Sequence, residues 1–239
     1  MDIRIKKQQG MSLIEIMIAL AISLIIVLAI LRAYVSLGYV SAETTRGASI
    51  DANIMKGLMI ADRILQGVGY NTIAPTDSYG TASGKLIQAY KTTSGTPATV
   101  NLAGAADTLV WKLSSGNCQA LKSTGKGLVY YGGSGYACAG GIVHPDSLST
   151  PPTPSQTLIS TAPTMPSSVA GSVGNISLKV TKLTGTTICT PFGVQSTSAT
   201  ATASGGKYYV EIIANIYATS TSSTSSTISN STCLFNITT

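Results

Sequence analysis

The hydrophobic pattern begins with one long apolar block, Met11 to Leu31, whose 21 residues include a single charged side chain, that of Glu15. A helix of this length spans roughly 31 Å, which is about the thickness of the hydrocarbon core of a bilayer. Placing a carboxylate inside such a segment costs about 2.5–3.5 kcal/mol on insertion scales. We therefore predict a transmembrane helix and regard Glu15 as a candidate functional residue.

The residues before this block form a short basic leader, Met1 to Gly10, with Arg4, Lys6 and Lys7. A secretory signal peptide has its small-residue cleavage site after the apolar region, whereas here the candidate site, Gly10, precedes it. A generic single-pass anchor would explain the length of the block and the basic flank. It would explain neither Glu15 nor a glycine followed directly by Met-Ser-Leu-Ile-Glu.

A second apolar pattern indicates that the helix continues beyond the membrane. Apolar residues recur at spacings of three and four, which places them on one face of a helix. This stripe consists of Ile50, Ile54, Leu58, Ala61, Leu65 and Val68. We expect it to pack against a sheet, and we expect the helix to end near Gln66 to Gly69, where glycine favours termination.

The remainder of the chain alternates apolar and polar residues with period two, which predicts half-buried antiparallel strands. The predicted strands lie at residues 108–113, 127–131, 176–181 and 208–216. A hairpin from residues 208–218 to residues 233–237 would place a cysteine close to the C-terminus. Trp111 and the tyrosines are expected to pack in the core or on the sheet.

Long biased segments lie between these strands. Residues 144–166 hold six prolines and are predicted to be extended and partly polyproline II, with His144 as a solvated loop residue. Residues 195–206 and the nine consecutive Ser or Thr residues 219–227 are predicted to be loops. Such loops could decorate a surface, carry O-linked sugars or vary for recognition.

The four cysteines all lie in the β-rich part, and an even number in an exported domain favours disulfides. Three pairings are possible. We favour Cys118–Cys138 and Cys189–Cys233, because each joins segments predicted to be neighbouring strands or a strand and its return. A metal site is the weaker alternative, since the chain has no Cys-x-x-Cys and His144 lies near no cysteine pair.

The formal net charge is +6, or +4 without the leader, and the basic residues are scattered. They form no cluster with aromatic residues that would indicate nucleic-acid binding. The chain has one histidine and neither a glycine-rich phosphate loop nor a zinc-peptidase motif. We therefore expect no catalytic residues, no enzyme activity, no cofactor and no metal.

The sequence Gly10 to Ala21, Gly-Met-Ser-Leu-Ile-Glu-Ile-Met-Ile-Ala-Leu-Ala, closely resembles the class III signal of type IV prepilins and type II secretion pseudopilins. The resemblance implies cleavage by a prepilin peptidase between Gly10 and Met11 and methylation of the new amine of Met11. It also implies that Glu15, the fifth mature residue, pairs with the Met11 amine of a neighbouring subunit during assembly. Buried charges persist when they are paired in this way.

The resemblance implies an α+β pilin-like fold, with a long N-terminal helix packed on an antiparallel β-sheet domain. The implied organisation is a leader at residues 1–10, a helix at 11–68, of which 11–31 cross the membrane, and a globular domain at 69–239. The implied partners are prepilin peptidase, other major and minor pilins, and the bacterial inner membrane. The globular domain would be periplasmic before assembly and would then reach the pilus and the cell surface.

Two shorter matches resemble PilW-type minor pilins: residues 61–70, which end in Gly69-Tyr70, and residues 106–111, which Cys118 follows. They imply a minor pilin that primes assembly of a type IV pilus or lies at its tip, with roles in twitching, adhesion or DNA uptake. One alternative is a J-type minor pseudopilin of type II secretion, which has the same architecture. Another is an adhesin or DNA-binding module carried on a pilin stem.

Overall fold

The computed structural model describes residues 12–71, 78–125, 127–133, 136–138, 140–160, 175–185, 187–190, 195–197, 205–215 and 227–238. These residues form an α+β fold with one long helix and antiparallel sheets, as predicted. The helix, α1, spans Leu13–Gln66. The chain divides into two compact units, residues 1–48 and 49–239, and α1 contributes to both.

Short strands make up most of the second unit, and each sheet pairs them antiparallel. In chain order they are β1 Ile87–Thr93, β2 Thr96–Thr99, β3 Ala105–Ala106, β4 Thr108–Lys112, β5 Cys118–Ser123, β6 Leu128–Tyr131, β7 Gln156–Ile159, β8 Ile176–Lys182, β9 Thr187–Cys189, β10 Gln195–Thr197, β11 Tyr208–Asn215 and β12 Thr227–Cys233.

Three sheets result from this pairing. The larger sheet has the order β2-β1-β4-β5-β6-β7, the second has the order β12-β11-β8-β3, and β9 pairs with β10. Only Asp107 separates β3 from β4, so the chain passes from the second sheet to the larger one at this residue. The Asp107 carboxylate accepts hydrogen bonds from the Thr92 backbone N–H and the Thr108 hydroxyl, which fixes the crossing.

The main core lies where the second half of α1 meets both sheets. Ile54, Leu58, Ala61, Leu65 and Val68 are each at most 2% exposed and pack against inward-facing residues of the sheets. The predicted stripe is therefore confirmed. Full burial of a leucine or isoleucine side chain stabilises a fold by about 1.5–3 kcal/mol, so this stripe is a main source of the domain's stability.

Helix α1 contacts the terminal strand of each main sheet. Beside β7, Gly57 lies so close to the Leu158 backbone that a Cβ atom placed there would be 2.6 Å from the Leu158 carbonyl oxygen. On the other side, the Asn230 side chain in β12 donates to the Leu58 carbonyl (3.5 Å), and the Thr232 hydroxyl donates to Asp62. The helix thus lies against one terminal strand of each main sheet.

The C-terminal turn of the helix is closed by a residue from the end of the chain. The Asn236 side-chain N–H group donates to the carbonyl oxygens of Gln66 and Val68, at 3.1 Å each. Helix ends leave carbonyls without intrahelical partners, and this amide satisfies that of Gln66 together with the carbonyl of Val68 in the turn that follows. α1 ends at Gln66, within the predicted range of Gln66 to Gly69, and Gly69 then adopts a left-handed φ of +80°.

A second core lies on the opposite face of the larger sheet. It contains Tyr90, Val110, Cys118, Ala120, Val129, Tyr131, Tyr136, Cys138 and Ile142. The first four residues of β4 are all buried, so both faces of this strand are covered. The prediction that the strand at residues 108–113 is half-buried was therefore wrong. The second face is covered by Tyr136, Cys138, Ile142 and Leu148, which lie in segments that the sequence pattern did not predict to pack on the sheet.

Three loop predictions also need correction. The partner of β11 is β12, at Thr227–Cys233, and not residues 233–237, because the strand begins within the Ser/Thr run. The proline-rich segment contains the 3₁₀ turn Pro145–Ser147 and strand β7. The predicted loop at 195–206 begins with strand β10, whereas residues 198–204, like residues 219–226, lie outside the described residues.

Candidate functional site

Helix α1 starts within the motif that the sequence analysis identified. The Ser12 carbonyl accepts hydrogen bonds from the N–H groups of Glu15 (3.0 Å) and Ile16 (3.3 Å), which closes the first turn. Glu15 is exposed in this turn, where a carboxylate is favoured by the helix dipole. Gly10 and Met11, the predicted cleavage and methylation residues, lie outside the described residues.

The first half of α1 is apolar on all sides, and its large apolar side chains are exposed. Their exposed fractions include 78% at Leu13, 63% at Met17 and 66% at Ile25. Within the described part of the chain, α1 is the one helix that by length and composition could cross a membrane. A helix that is apolar all round is stable when lipid or other protein surrounds it.

Hydroxyl groups at several positions along α1 bond to carbonyls of the helix itself. The Ser23 hydroxyl donates to the Leu20 carbonyl (2.9 Å), and the Thr45 hydroxyl donates to the Ser41 carbonyl (2.8 Å). Such bonds let hydroxyl residues enter an apolar environment without an unpaired donor. Glu15 cannot make such a bond within its own helix, because an ionised carboxylate has no proton to donate to a helix carbonyl.

Glu15 also cannot pair with a basic residue of its own helix. The next basic residue along α1 is Arg32, seventeen residues away, which corresponds to about 26 Å along the axis. An ion pair requires the charged groups to approach within about 4 Å. Within the described residues of α1, therefore, no basic side chain can pair with this carboxylate.

A second polar site lies in the globular unit and is centred on His144. The sequence analysis expected a solvated loop residue, but His144 is only 1% exposed, so that prediction was wrong. Its Nε2 atom is 3.0 Å from the Thr108 hydroxyl, and its Nδ1 atom accepts a hydrogen bond from the Asp146 N–H group (3.2 Å). The edge of the Tyr90 ring packs against the imidazole, with 5.3 Å between the ring centroids.

Burial controls the ionisation of this cluster. Desolvation lowers the pKa of His144, and it raises the pKa of Tyr90 to about 12. The Tyr90 hydroxyl donates to the Ile142 carbonyl at 2.8 Å. The cluster is thus neutral near pH 7 and holds the loop in place through hydrogen bonds.

The geometry of the cluster does not provide a nucleophile. Thr108 is fully buried, and its hydroxyl proton is committed to the Asp107 carboxylate at 2.8 Å. His144 accepts from a backbone N–H group at Nδ1, so that atom cannot donate a hydrogen bond to an orienting carboxylate, as a hydrolase triad requires. The described residues also contain no group of three or more His, Cys, Asp or Glu side chains that could hold a metal ion.

The four cysteines form two disulfides, Cys118–Cys138 and Cys189–Cys233, which is the pairing favoured from the sequence. The first fastens residues 136–138 to β5 beneath the second core. The second fastens β9 to the end of β12. Each bond ties a loop-rich segment to a strand of one of the two main sheets.

Comparison with known proteins identifies the N-terminal part of the chain. The family model described as the prokaryotic N-terminal methylation motif matches residues 5–31. Nothing matches among curated proteins, and nothing matches among solved structures. The matched motif characterises a pilin-like prepilin and implies processing by a prepilin peptidase followed by pilin-type assembly.

Proposed function

We propose that this protein is a minor type IV pilin, most similar to the PilW type, which primes assembly of a pilus or lies at its tip. The observation that carries the proposal is the lone carboxylate of Glu15 in an all-apolar exposed helix, within a match to the methylation motif. A filament in which such helices pack together provides both the apolar surroundings and the cation that Glu15 needs.

In this proposal the peptidase cleaves after Gly10, and the α-amino group of Met11 is methylated. Glu15 of an incoming subunit pairs with the Met11 amine of a subunit already in the filament. An α-amino group has a pKa of about 8 and is therefore mainly cationic at neutral pH. The pair sets the axial register of the incoming helix, because a shift by one turn would leave both charges unpaired in an apolar environment.

Before assembly, residues 11–31 span the inner membrane and the globular unit is periplasmic. Two disulfides support this location, since such bonds persist in an oxidising compartment. The size of the chain and its long Ser/Thr segments favour a minor subunit over a major one, because repeated long loops would crowd a filament surface.

The test is a strain that lacks this chain. Surface pili are counted by electron microscopy, and secreted proteins retained in the periplasm are assayed in the same cultures. Loss of pili with normal secretion supports the proposal, and re-expression of the full chain should restore them. Normal pili with retained secreted proteins would instead identify a minor pseudopilin of type II secretion. Normal pili and normal secretion would favour an adhesin or DNA-binding decoration.

A further inference from the structure

Residues 142–148, which we call the covering segment, close the second core from the outside. Ile142 is 2% exposed and belongs to that core, and Leu148 packs against it. The face beneath contains Val110, Ala120 and the Cys118–Cys138 disulfide. Release of this segment would therefore expose an apolar sheet face together with a disulfide.

Side chains, more than backbone ladders, hold the covering segment in place. Among the described residues, one backbone bond, from the Ile142 N–H group to the Thr81 carbonyl (3.1 Å), joins it to a neighbouring segment. The hydroxyls of Tyr90 and Tyr136 donate to the Ile142 and Val143 carbonyls. Segments with few ladder hydrogen bonds open at lower free energy than the sheets they cover.

His144 is the central attachment, and its hydrogen bonds define its tautomer. Nδ1 accepts from the Asp146 N–H group, so the ring proton is on Nε2. Nε2 then donates to the Thr108 hydroxyl, which itself donates to Asp107. Every donor in this series of hydrogen bonds has one acceptor, and the arrangement requires a neutral imidazole.

The charged and titratable groups around His144 come from four elements. Asp107 precedes β4, Lys122 is in β5, Tyr90 is in β1, and Asp146 is in the 3₁₀ turn. The Asp146 carboxylate is paired with Lys122 and lies 4.0 Å from Nδ1 of His144. Burial raises the pKa values of Tyr90, which packs against the ring, and of Tyr136, which bonds the Val143 carbonyl, so both phenols remain neutral.

We propose that His144 is a pH-operated latch, whose protonation releases the covering segment and exposes the second core. The second proton must go to Nδ1, where it faces the Asp146 N–H group, so a donor meets a donor. The nearest carboxylate oxygen, that of Asp146, lies 4.0 Å from Nδ1, beyond hydrogen-bond distance, and it is paired with Lys122. A buried cation whose proton has no hydrogen-bond acceptor is costly, and opening of the segment lets water solvate the ring.

The direction of the pH dependence follows from the burial of the ring. Desolvation and Lys122 lower the pKa of His144, which outweighs the opposite effect of Asp146 and Asp107. In the open form the ring returns to its ordinary pKa of about 6.5. The closed form is thus fully favoured above about pH 6.5 and loses stability as the pH falls from there toward the lowered pKa.

The test uses the full chain in detergent micelles and compares amide hydrogen exchange at about pH 7.5 and about pH 5. After correction for intrinsic exchange, we expect protection of residues 142–148 to fall about tenfold for each pH unit below the ordinary pKa of about 6.5, until the pH reaches the lowered pKa of His144. Reduction of Cys118–Cys138 should accelerate by a similar factor. Cys189–Cys233, which lies in a separate cluster, serves as the internal reference.

His144→Gln is the matched variant, since the amide can still donate and accept but does not titrate. The pH dependence of exchange should disappear in it, whether the segment is mostly closed or mostly open. The same pH dependence in the variant would overturn the proposal, because carboxylates would then be responsible. Unchanged protection in the wild-type chain would also overturn it. The chain has one histidine, so the NMR titration of His144 can be followed directly. Its midpoint must equal the pH midpoint for opening of the covering segment, and a mismatch would refute the latch.

Discussion

Glu15 is the residue on which the proposed assembly mechanism depends. We expect Glu15→Ala to leave cleavage and membrane insertion intact, because the peptidase site precedes it and the apolar block becomes more apolar. Incorporation into filaments should fall about tenfold or more, since loss of only 1.4 kcal/mol of pairing energy has that effect. The measurement is the amount of this chain in sheared filaments relative to the membrane fraction.

Two further variants sharpen this test. Glu15→Gln keeps the shape but removes the charge, and it should resemble Glu15→Ala if charge pairing is the cause. Ser23→Ala removes a hydroxyl that bonds only within its own helix, and it should incorporate normally. Normal incorporation of both Glu15 variants would contradict the assembly role.

At the residue scale, the two candidate sites differed in how far the sequence could predict them. The motif around Gly10, Met11 and Glu15 is linear, so the sequence alone carries the prediction; the family match covers residues 5–31, and the roles of the three residues stay predictions. His144 was misjudged because its burial depends on Thr108, which lies 36 residues away in the chain. A histidine beside several prolines gives no local signal that distant residues will enclose it.

Gly57 tests how closely α1 approaches the larger sheet. An interior glycine normally weakens a helix by about 1 kcal/mol relative to alanine, so propensity alone would favour Gly57→Ala. The structure predicts the opposite, because the added Cβ would be 2.6 Å from the Leu158 carbonyl oxygen. We expect a net loss of about 1–3 kcal/mol in the free energy of unfolding, measured by chemical denaturation of the full chain in micelles.

Gly47→Ala is the control for this prediction. A Cβ at Gly47 would have no heavy atom within 4 Å outside the helix backbone, so this change should not destabilise the chain. If both alanine variants were equally stable, the close approach of α1 to Leu158 would not be a constraint on the fold.

The Cys189–Cys233 disulfide restrains the longer of the two cross-linked loops, with a sequence separation of 44 against 20. On chain-entropy grounds the two bonds contribute about 4 and about 3.3 kcal/mol. Replacement of Cys189 and Cys233 by alanine should thus cost slightly more stability than replacement of Cys118 and Cys138. Thermal or denaturant unfolding of the two double variants measures the difference, and the reverse order would show that packing outweighs chain entropy.

At the element scale, the spacing of apolar residues identified the helix stripe and the strands whose pattern lies within their own sequence. The helical stripe from Ile54 to Val68 was found because its apolar residues repeat at helical spacing, and β8 and β11 were found because they alternate. The sequence did not indicate that β4 is buried on both faces, because Val110 is covered by residues from beyond β6. Nor did it show that β12 starts at Thr227, since a Ser/Thr run pairs as a strand only where β11 provides the partner.

For the whole molecule, the remaining question is whether the protein lies at one end of a filament or along its length. An end position fixes the number of copies per filament, so the ratio of this chain to the major subunit should vary inversely with mean filament length. Blocking elongation early or late provides intact pili of two mean lengths, and quantitative mass spectrometry measures the ratio in each. Halving the mean length by blocking elongation early, not by breakage, should about double the ratio, because breakage adds ends that carry no tip subunit.

Antibody against the globular unit should label one end of each intact filament. A ratio that stays constant with length, with label along the shaft, would place the protein among the repeating subunits and contradict the tip position while leaving the role of Glu15 intact.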